Sequence, residues 1–279
     1  MEYNKRMSTI LKPGTFYGET VSLNVADAVL TEVRHRIGRS VPAHTHEASY
    51  FSILLEGTYS ETWHDTTIVY EPFTCVYHAA LTEHTDTIGP NGCRMFFIEL
   101  LPSWVETIDA LGSQPEHLLK MHGGDAVWLA LRLYHEFLTR DSAMAIAAES
   151  LLFELCTYVA RGNHDEDREP TWLADVDAAV LAGFREGLEI RELAAAVNVH
   201  PSHLCRAFRR YRGQTVGDHV IALRLQAVCR RLLDASTSLS EVALEAGFTD
   251  QSHMNRIFKR LIGESPGSYR RRLRDGALS

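Results

Sequence analysis

The segment Ser240-Glu-Val-Ala-Leu-Glu-Ala-Gly-Phe248 is followed after Thr249 by Asp250-Gln-Ser-His-Met-Asn-Arg-Ile-Phe-Lys-Arg-Leu-Ile-Gly263. It predicts a short helix, a turn centred on Gly247 and a second helix capped by Asp250. In the second helix Met254, Ile257, Phe258 and Leu261 recur at helical spacing and turn inward. Gln251, Ser252, His253, Asn255, Arg256 and Lys259 are left outside. That face carries amide, imidazole and guanidinium groups, the side chains suited to hydrogen-bonding base edges, so the pattern reads as a DNA-facing helix-turn-helix.

Upstream, the same grammar occurs once already. Leu239 to Ala246 matches Leu188 to Ala196, and Pro201-Ser-His-Leu-Cys-Arg-Ala-Phe-Arg-Arg-Tyr211 stands where the second recognition helix stands in the later copy. Pro201 suits a first helical position, where its missing N–H costs nothing. Leu204 and Phe208 face inward; Ser202, Cys205, Arg206 and Arg209 do not. A helix predicted over Val216 to Leu233 joins the two units, with Val220, Leu223, Ala227 and Leu232 on its buried stripe, and at ~1.5 Å per residue it spans ~27 Å. Two reading helices held so can enter successive major grooves, ~34 Å apart, if they tilt or the duplex bends. A further amphipathic helix over Val176 to Arg185 precedes them.

The charge is divided accordingly. The 279 residues carry a net charge of −8, yet Pro170 to Ser279 holds 16 Lys and Arg against 12 Asp and Glu, leaving 12 against 24 in residues 1–169. Salt screens charges beyond ~10 Å, so the local excess matters at a binding face, and the basic half is the candidate for phosphate contact. No run of about 18 apolar residues is present, and Met1-Glu-Tyr-Asn-Lys-Arg6 lacks the apolar core of a signal peptide, so a cytoplasmic protein with no membrane partner is expected. Five scattered cysteines without a C-x-x-C pair suggest neither a disulfide frame nor a thiolate metal site.

The first half reads differently. Short alternating runs at 30–34, 50–55, 58–63, 67–70, 74–77 and 94–100 are punctuated by Gly38, Pro42, Gly57, Pro72 and Gly89-Pro-Asn-Gly92, which predicts an antiparallel sandwich or barrel over about 28–101. Its chemistry lies in histidines. His44 and His46, at i and i+2 on a strand, point to one face and can reach one ion together, with His84 later in the chain. Tyr50 and Trp63 are the aromatic candidates for an effector pocket around them. A metal site on His44, His46 and His84, a metal-free pocket, and rim histidines paired with Glu47, Glu83 or Asp86 are all compatible with the pattern. Beyond Pro102 the period becomes helical; Asp125 to Leu138 and Ala143 to Ala160 predict a helical hairpin within about 113–161, packed on the barrel or on a second copy in a homodimer. Residues 163–171 are polar and aperiodic, a linker.

Gly38, His44-Thr-His46, Gly57 and His84 resemble the two signature motifs of the cupin superfamily, whose antiparallel double-stranded β-helix holds a metal on the two histidines of H-x-H, a Glu and a later His. That resemblance implies a divalent ion such as Zn, Fe, Mn or Ni. The family's Glu would fall at Tyr50 or Phe51, and its absence argues against a metal-dependent cupin enzyme. The C-terminal half resembles the DNA-binding domain of the AraC/XylS regulators: Arg224, Ala227, Leu232-Leu233, Glu241-Val-Ala-x-x-Ala-Gly-Phe248, Asp250-x-Ser252, Arg256-x-Phe258-Lys-Arg260, Gly263, Ser265-Pro266 and Tyr269-Arg270.

The resemblance implies an α+β, two-domain chain: a sensor and dimerisation domain over 1–162, and an all-α double helix-turn-helix over 172–274 with units at about 188–211 and 239–262. It implies base contacts by Ser202, Cys205, Arg206, Gln251, Ser252, His253 and Arg256. Phosphate contacts fall to Arg209, Arg210, Lys259, Arg260 and the run Arg270 to Arg272. The expected partners are promoter DNA, RNA polymerase and a small-molecule or metal effector; the expected role is a transcription regulator, not an enzyme, with a cupin serving only as dimerisation scaffold as an alternative.

Overall fold

Among the described residues, alternation in the first hundred residues becomes eight strands of a nine-stranded sheet, β1 Thr9–Leu11, β2 Glu19–Val25, β3 Ala28–His35, β4 Arg39–His46, β5 Ser49–Trp63, β6 Thr66–Tyr70, β7 Thr74–His78 and β8 His84–Leu100, with β9 Leu119–His122 added later in the chain. The computed structural model describes residues 8–111, 119–122, 124–162, 169–212, 214–232, 234 and 236–271. They fall into two units, one within Met1–Met121 and Glu136–His164, the other within His122–His135 and Asp165–Ser279.

The sheet starts before residue 28. β1 pairs in parallel with β4, and β2 pairs with β3. The segments 50–55 and 58–63, expected as two strands, are one: β5 runs through Gly57, and β8 likewise runs through Gly89-Pro-Asn-Gly92. The two long strands bend where they face each other. Gly57 pairs with Cys93 across a register shift, takes φ +84°, and would bring a Cβ within 2.2 Å of the Gly92 carbonyl. Glycine there turns the ladder without ending it. One half of β8 is flanked by β3 and the first half of β5, the other half by β4 and the second half of β5. Inside lie Leu54, Val76 and Met95, all almost fully buried, each worth ~1.5–3 kcal/mol of transfer free energy.

The region expected as a helical hairpin over 113–161 opens instead on β9, which pairs with β7. The helices α2 Gly124–Thr139 and α3 Met144–Gly162 form as predicted, but α3 packs against an unanticipated helix, α1 Pro102–Leu111, while α2 up to His135 groups with the second unit. α1 is anchored by Trp104, which is buried and donates its indole N–H to the Ala26 carbonyl at 2.7 Å.

The second unit holds α4 Trp172–Gly183, α5 Ile190–Ala196, α6 Pro201–Arg212, α7 Val216–Leu232, α8 Leu239–Glu245 and α9 Gln251–Ile262. α7 is in contact with α4, α6 and α8, which is why its buried set is wider than the single stripe expected. Ala222, Leu225, Ala227, Val228, Cys229 and Leu232 are buried, and Val220 and Leu223 only partly. Arg224 on α7 donates to the carbonyls of Phe184 at 2.7 Å and Glu186 at 3.0 Å, satisfying groups that the end of α4 leaves without helical partners.

Candidate functional site

The second helix-turn-helix is capped by side chains at both helix starts, whereas α5 of the first has no side-chain cap. α8 opens with a capping box: the Ser238 hydroxyl accepts from the Glu241 amide, and the Glu241 carboxylate accepts from the Ser238 amide. The turn needs a left-handed residue, supplied by Gly247 at φ +89°, where a Cβ would lie 2.6 Å from the Arg185 carbonyl oxygen. The earlier copy places Asn198 at φ +54° in the equivalent turn, and Asn is among the few side chains that visit this conformation routinely. Asp250 then caps α9 by accepting from the His253 amide at 2.7 Å, and Gly263 closes it at φ +87°.

Capping orients the faces. On α9, Met254, Phe258 and Ile262 are buried, with Ile257 and Leu261 half-buried, so the inward stripe ends on Ile262 rather than Leu261. Ser252, Arg256, Lys259 and Arg260 are exposed, while Gln251, His253 and Asn255 are half-buried. His253 rests edge-on against Phe248, ring centroids 5.5 Å apart. On α6, Leu204, Ala207 and Phe208 are buried; Ser202, Cys205, Arg206, Arg209 and Arg210 are exposed. Ser202, Cys205, Arg206 and Arg209 thus form one i, i+3, i+4, i+7 face. Cys205 is the exposed member of five free cysteines; the other four are buried. Ser202 is not wholly free, since its hydroxyl lies 2.7 Å from His200 Nδ1.

Arg270 departs from expectation. It sits half-buried in a short helical turn over 266–271, next to buried Tyr269, and its Nε and one Nη are shielded without a hydrogen-bond partner, which is not the setting of a solvent-facing phosphate contact. Arg272 lies outside the described residues.

The sheet gathers the histidines. His44 and His84 face each other across β4 and β8, with ring centroids 4.3 Å apart. Together with His46 each offers a ligand atom, all within 4.8 Å of one another, and all three side chains are buried. His44 Nδ1 is 2.9 Å from the Pro42 carbonyl and His84 Nδ1 is 3.0 Å from the Thr82 carbonyl. A carbonyl only accepts, so each Nδ1 carries the proton and each Nε2 keeps its lone pair for the interior. His46 Nδ1 is buried with no hydrogen-bond partner. Of the aromatics, Tyr50 belongs to the cluster: its ring is 4.7 Å from His46 and its hydroxyl 3.5 Å from His84 Nε2. Trp63 does not; at the end of β5 its ring packs on His64 at 4.5 Å, and it is absent from the walls of the pocket that the three histidines line.

Two carboxylates complete the surroundings: Asp86, expected from the sequence only as a rim partner, and Glu61, which the sequence reading passed over. Glu61, almost fully buried, accepts from the Tyr70 hydroxyl at 2.9 Å and lies 3.4 Å from His78 Nδ1 and 3.9 Å from His84 Nδ1. Asp86 accepts from Tyr59 at 2.7 Å and lies 3.7 Å from His44 Nε2 and 3.9 Å from His84 Nε2. The signal for Glu61 was present in the alternation of Tyr59, Glu61 and Trp63 along one strand, but a carboxylate ordinarily faces water.

Burial sets the protonation here. It pushes the Glu61 carboxyl up to about 8, helped by Asp86, and that of Glu99 to about 7, while it pulls His46 down to about 2 and lowers His78 and His84. The raised acids stabilise the fold fully below their unfolded value near 4.5 and lose that contribution as pH rises toward 8. The lowered histidines contribute above 6.5 and lose it as pH falls. The two trends oppose each other between 4.5 and 6.5, and above 6.5 only the acids act. Chelated protein is therefore expected to lose about 2 kcal/mol between pH 6.5 and 8. Denaturant midpoints measured across that interval check this, with Glu61→Gln flattening the fall; a midpoint that rises with pH contradicts it.

A sheet unit enclosing a histidine pocket, linked to a duplicated helix-turn-helix with polar outer faces, defines a DNA-binding regulator architecture. The helix-turn-helix domain family matches residues 193–272. The chain is 38% identical over 85 residues to the HTH-type transcriptional regulator GlxA of Rhizobium meliloti, covering 30% of this chain and 26% of that protein. It is 26% identical over 160 residues to a putative AraC-like transcription regulator of Streptomyces antibioticus, covering 54% and 53%. It is 32% identical over 85 residues to the probable transcription factor PqrA of Proteus vulgaris, covering 30% of this chain and 70% of that protein. The chain belongs to the AraC-type helix-turn-helix transcription regulators, a membership that supports a non-enzymatic role. It spans about a quarter to a half of the length of the first curated relatives it matches. Among the described residues no helix is long and apolar enough to cross a membrane.

Proposed function

We propose that this chain is a cytoplasmic, sequence-specific regulator of transcription in which α6 and α9 read promoter DNA and the sheet unit, a cupin-type barrel, senses a small molecule or a metal ion. The observation that carries the reading is the repeated recognition helix with an apolar inner stripe and an exposed polar face. Arg206 and Arg256, exposed on matching helices, suit guanine O6 and N7, and Gln251 suits adenine. Arg209, Arg210, Lys259 and Arg260 flank them where phosphates would lie, holding register without reading sequence. Contact with RNA polymerase follows from the regulatory role, and homodimerisation through the first unit would present two such readers to one promoter.

For the sensor, His44, His46 and His84 fit a divalent metal. Two have their second nitrogen fixed by a backbone carbonyl, the arrangement ligating histidines adopt, and the unpartnered buried His46 nitrogen is unexplained without a ligand. Neutral imidazoles suit Zn, Fe, Mn or Ni, and such an ion would supply a charge that effectors or the fold could respond to.

Band-shift titrations against a selected promoter test the reading. Arg256→Ala is expected to cost ~1–3 kcal/mol and relax the preference at one base pair, whereas Lys259→Ala should weaken binding evenly across sequences and lower the salt slope by ~1. Wild-type affinity in Arg256→Ala would remove α9 from the reading.

A further inference from the structure

The metal reading above leaves one ligand short, because Tyr50 and Phe51 stand where the resemblance calls for a carboxylate. Resting on that reading, we propose that Asp86 is the fourth protein ligand of an ion held by His44, His46 and His84. His84 and Asp86 are two apart on β8 and face the same side, as His44 and His46 do on β4. The strands are antiparallel neighbours with His44 opposite His84 and Val41 opposite Asp86, so the facing His44–His84 pair is flanked by His46 on one side and by Asp86 on the other.

The distances support coordination over hydrogen bonding. Asp86 Oδ2 is 3.7 Å from His44 Nε2 and Oδ1 is 3.9 Å from His84 Nε2, both too long for hydrogen bonds. Two donors at ~2.0–2.1 Å from one tetrahedral ion stand ~3.3 Å apart, so Asp86, which lies outside the trio of histidines whose ligand atoms are mutually within 4.8 Å, must swing inward to join them. The Tyr59 hydroxyl holds Oδ1 at 2.7 Å and so fixes the carboxylate with Oδ2 toward His44. Glu61, the rival carboxylate, lies on the wrong side: it approaches His84 at Nδ1, the nitrogen committed to the Thr82 carbonyl, and its own Oε2 is held by Tyr70. Glu61 therefore lies outside the proposed ligand set. Three neutral imidazoles and one carboxylate make a first-row divalent ion the fitting occupant, rather than the oxygen-liganded Mg²⁺ or Ca²⁺.

Cobalt(II) added to chelator-stripped full-length protein tests this through its visible spectrum. Wild type is expected to take up one equivalent with ligand-field bands. Asp86→Asn, an isosteric change, should lower affinity by at least about 100-fold and shift those bands, and Tyr59→Phe, which removes only the supporting bond, by about 10-fold. Asp86→Cys provides a gain of signal: a thiolate bound to cobalt adds an intense charge-transfer band that arises only by direct coordination. Glu61→Gln should leave the bands in place. If neither wild type nor any variant binds cobalt, the metal reading itself fails. If wild type binds and His46→Ala does not, while Asp86→Asn keeps affinity and spectrum or Asp86→Cys binds without the new band, the assignment of Asp86 is overturned and the metal reading stands.

Discussion

Replacing Phe258 with Ala is expected to cost about 3–5 kcal/mol, the range for emptying a large aromatic site in a packed interior. The ring is fully buried on α9 and meets Tyr269 edge-on with centroids 5.4 Å apart, so its loss opens a cavity between the recognition helix and the turn that follows it. The outward face of α9 depends on that anchorage, because the helix has only 12 residues and little stability of its own. DNA binding should therefore fall with stability, although Phe258 presents nothing to the duplex. Denaturant unfolding together with promoter titration checks both halves. An unfolding midpoint equal to wild type would show that α9 is not held as described.

The second large effect comes from removing one guanidinium from each head. Arg206 and Arg256 are exposed on α6 and α9, with α7 and α8 between them in the chain, so their contributions should add. At ~1–3 kcal/mol each, the double change to Ala should cost ~2–6 kcal/mol, or roughly 30-fold to 10⁴-fold in affinity for the specific site. Arg209, Arg210, Lys259 and Arg260 remain, so binding to unrelated DNA should change far less and sets a floor under the loss. Parallel titrations with specific and scrambled duplexes measure the ratio; equal losses on both would mean that these arginines meet phosphates and not bases.

How far the chain could be read in advance followed the range of the interactions. The second helix-turn-helix was legible in its turn and its second cap, because Gly247 and Asp250 act on their immediate neighbours, while the capping box of Ser238 and Glu241, equally local, entered only with the structure. Burial limits on α9 slipped by one position, from Leu261 to Ile262, since helix periodicity does not say how deep each neighbour sits. Gly57 and Gly92 were read as strand ends and prove to be bends inside continuous strands, a distinction that depends on two distant glycines meeting across the ladder. His44, His46 and His84 come together as their spacing suggested, yet Glu61 and Asp86 were placed by strand register, and register between β4, β5 and β8 is not written in any local window. Trp63 was drawn to the pocket by its chemistry alone, and its position at the end of β5 put it elsewhere. The partner of α3 was out of reach for the same reason: amphipathicity announces an apolar face without naming what covers it.

The central claim is that α6 and α9 together read one stretch of duplex. Footprinting of the genomic sites bound by the full-length chain tests it most directly. Two protected blocks with a shared sequence in each, centred about 10 base pairs apart on one face of the helix, are predicted, and inserting half a turn of DNA between them should abolish binding. Sites protected without any common sequence, or binding indifferent to the inserted half-turn, would contradict the account.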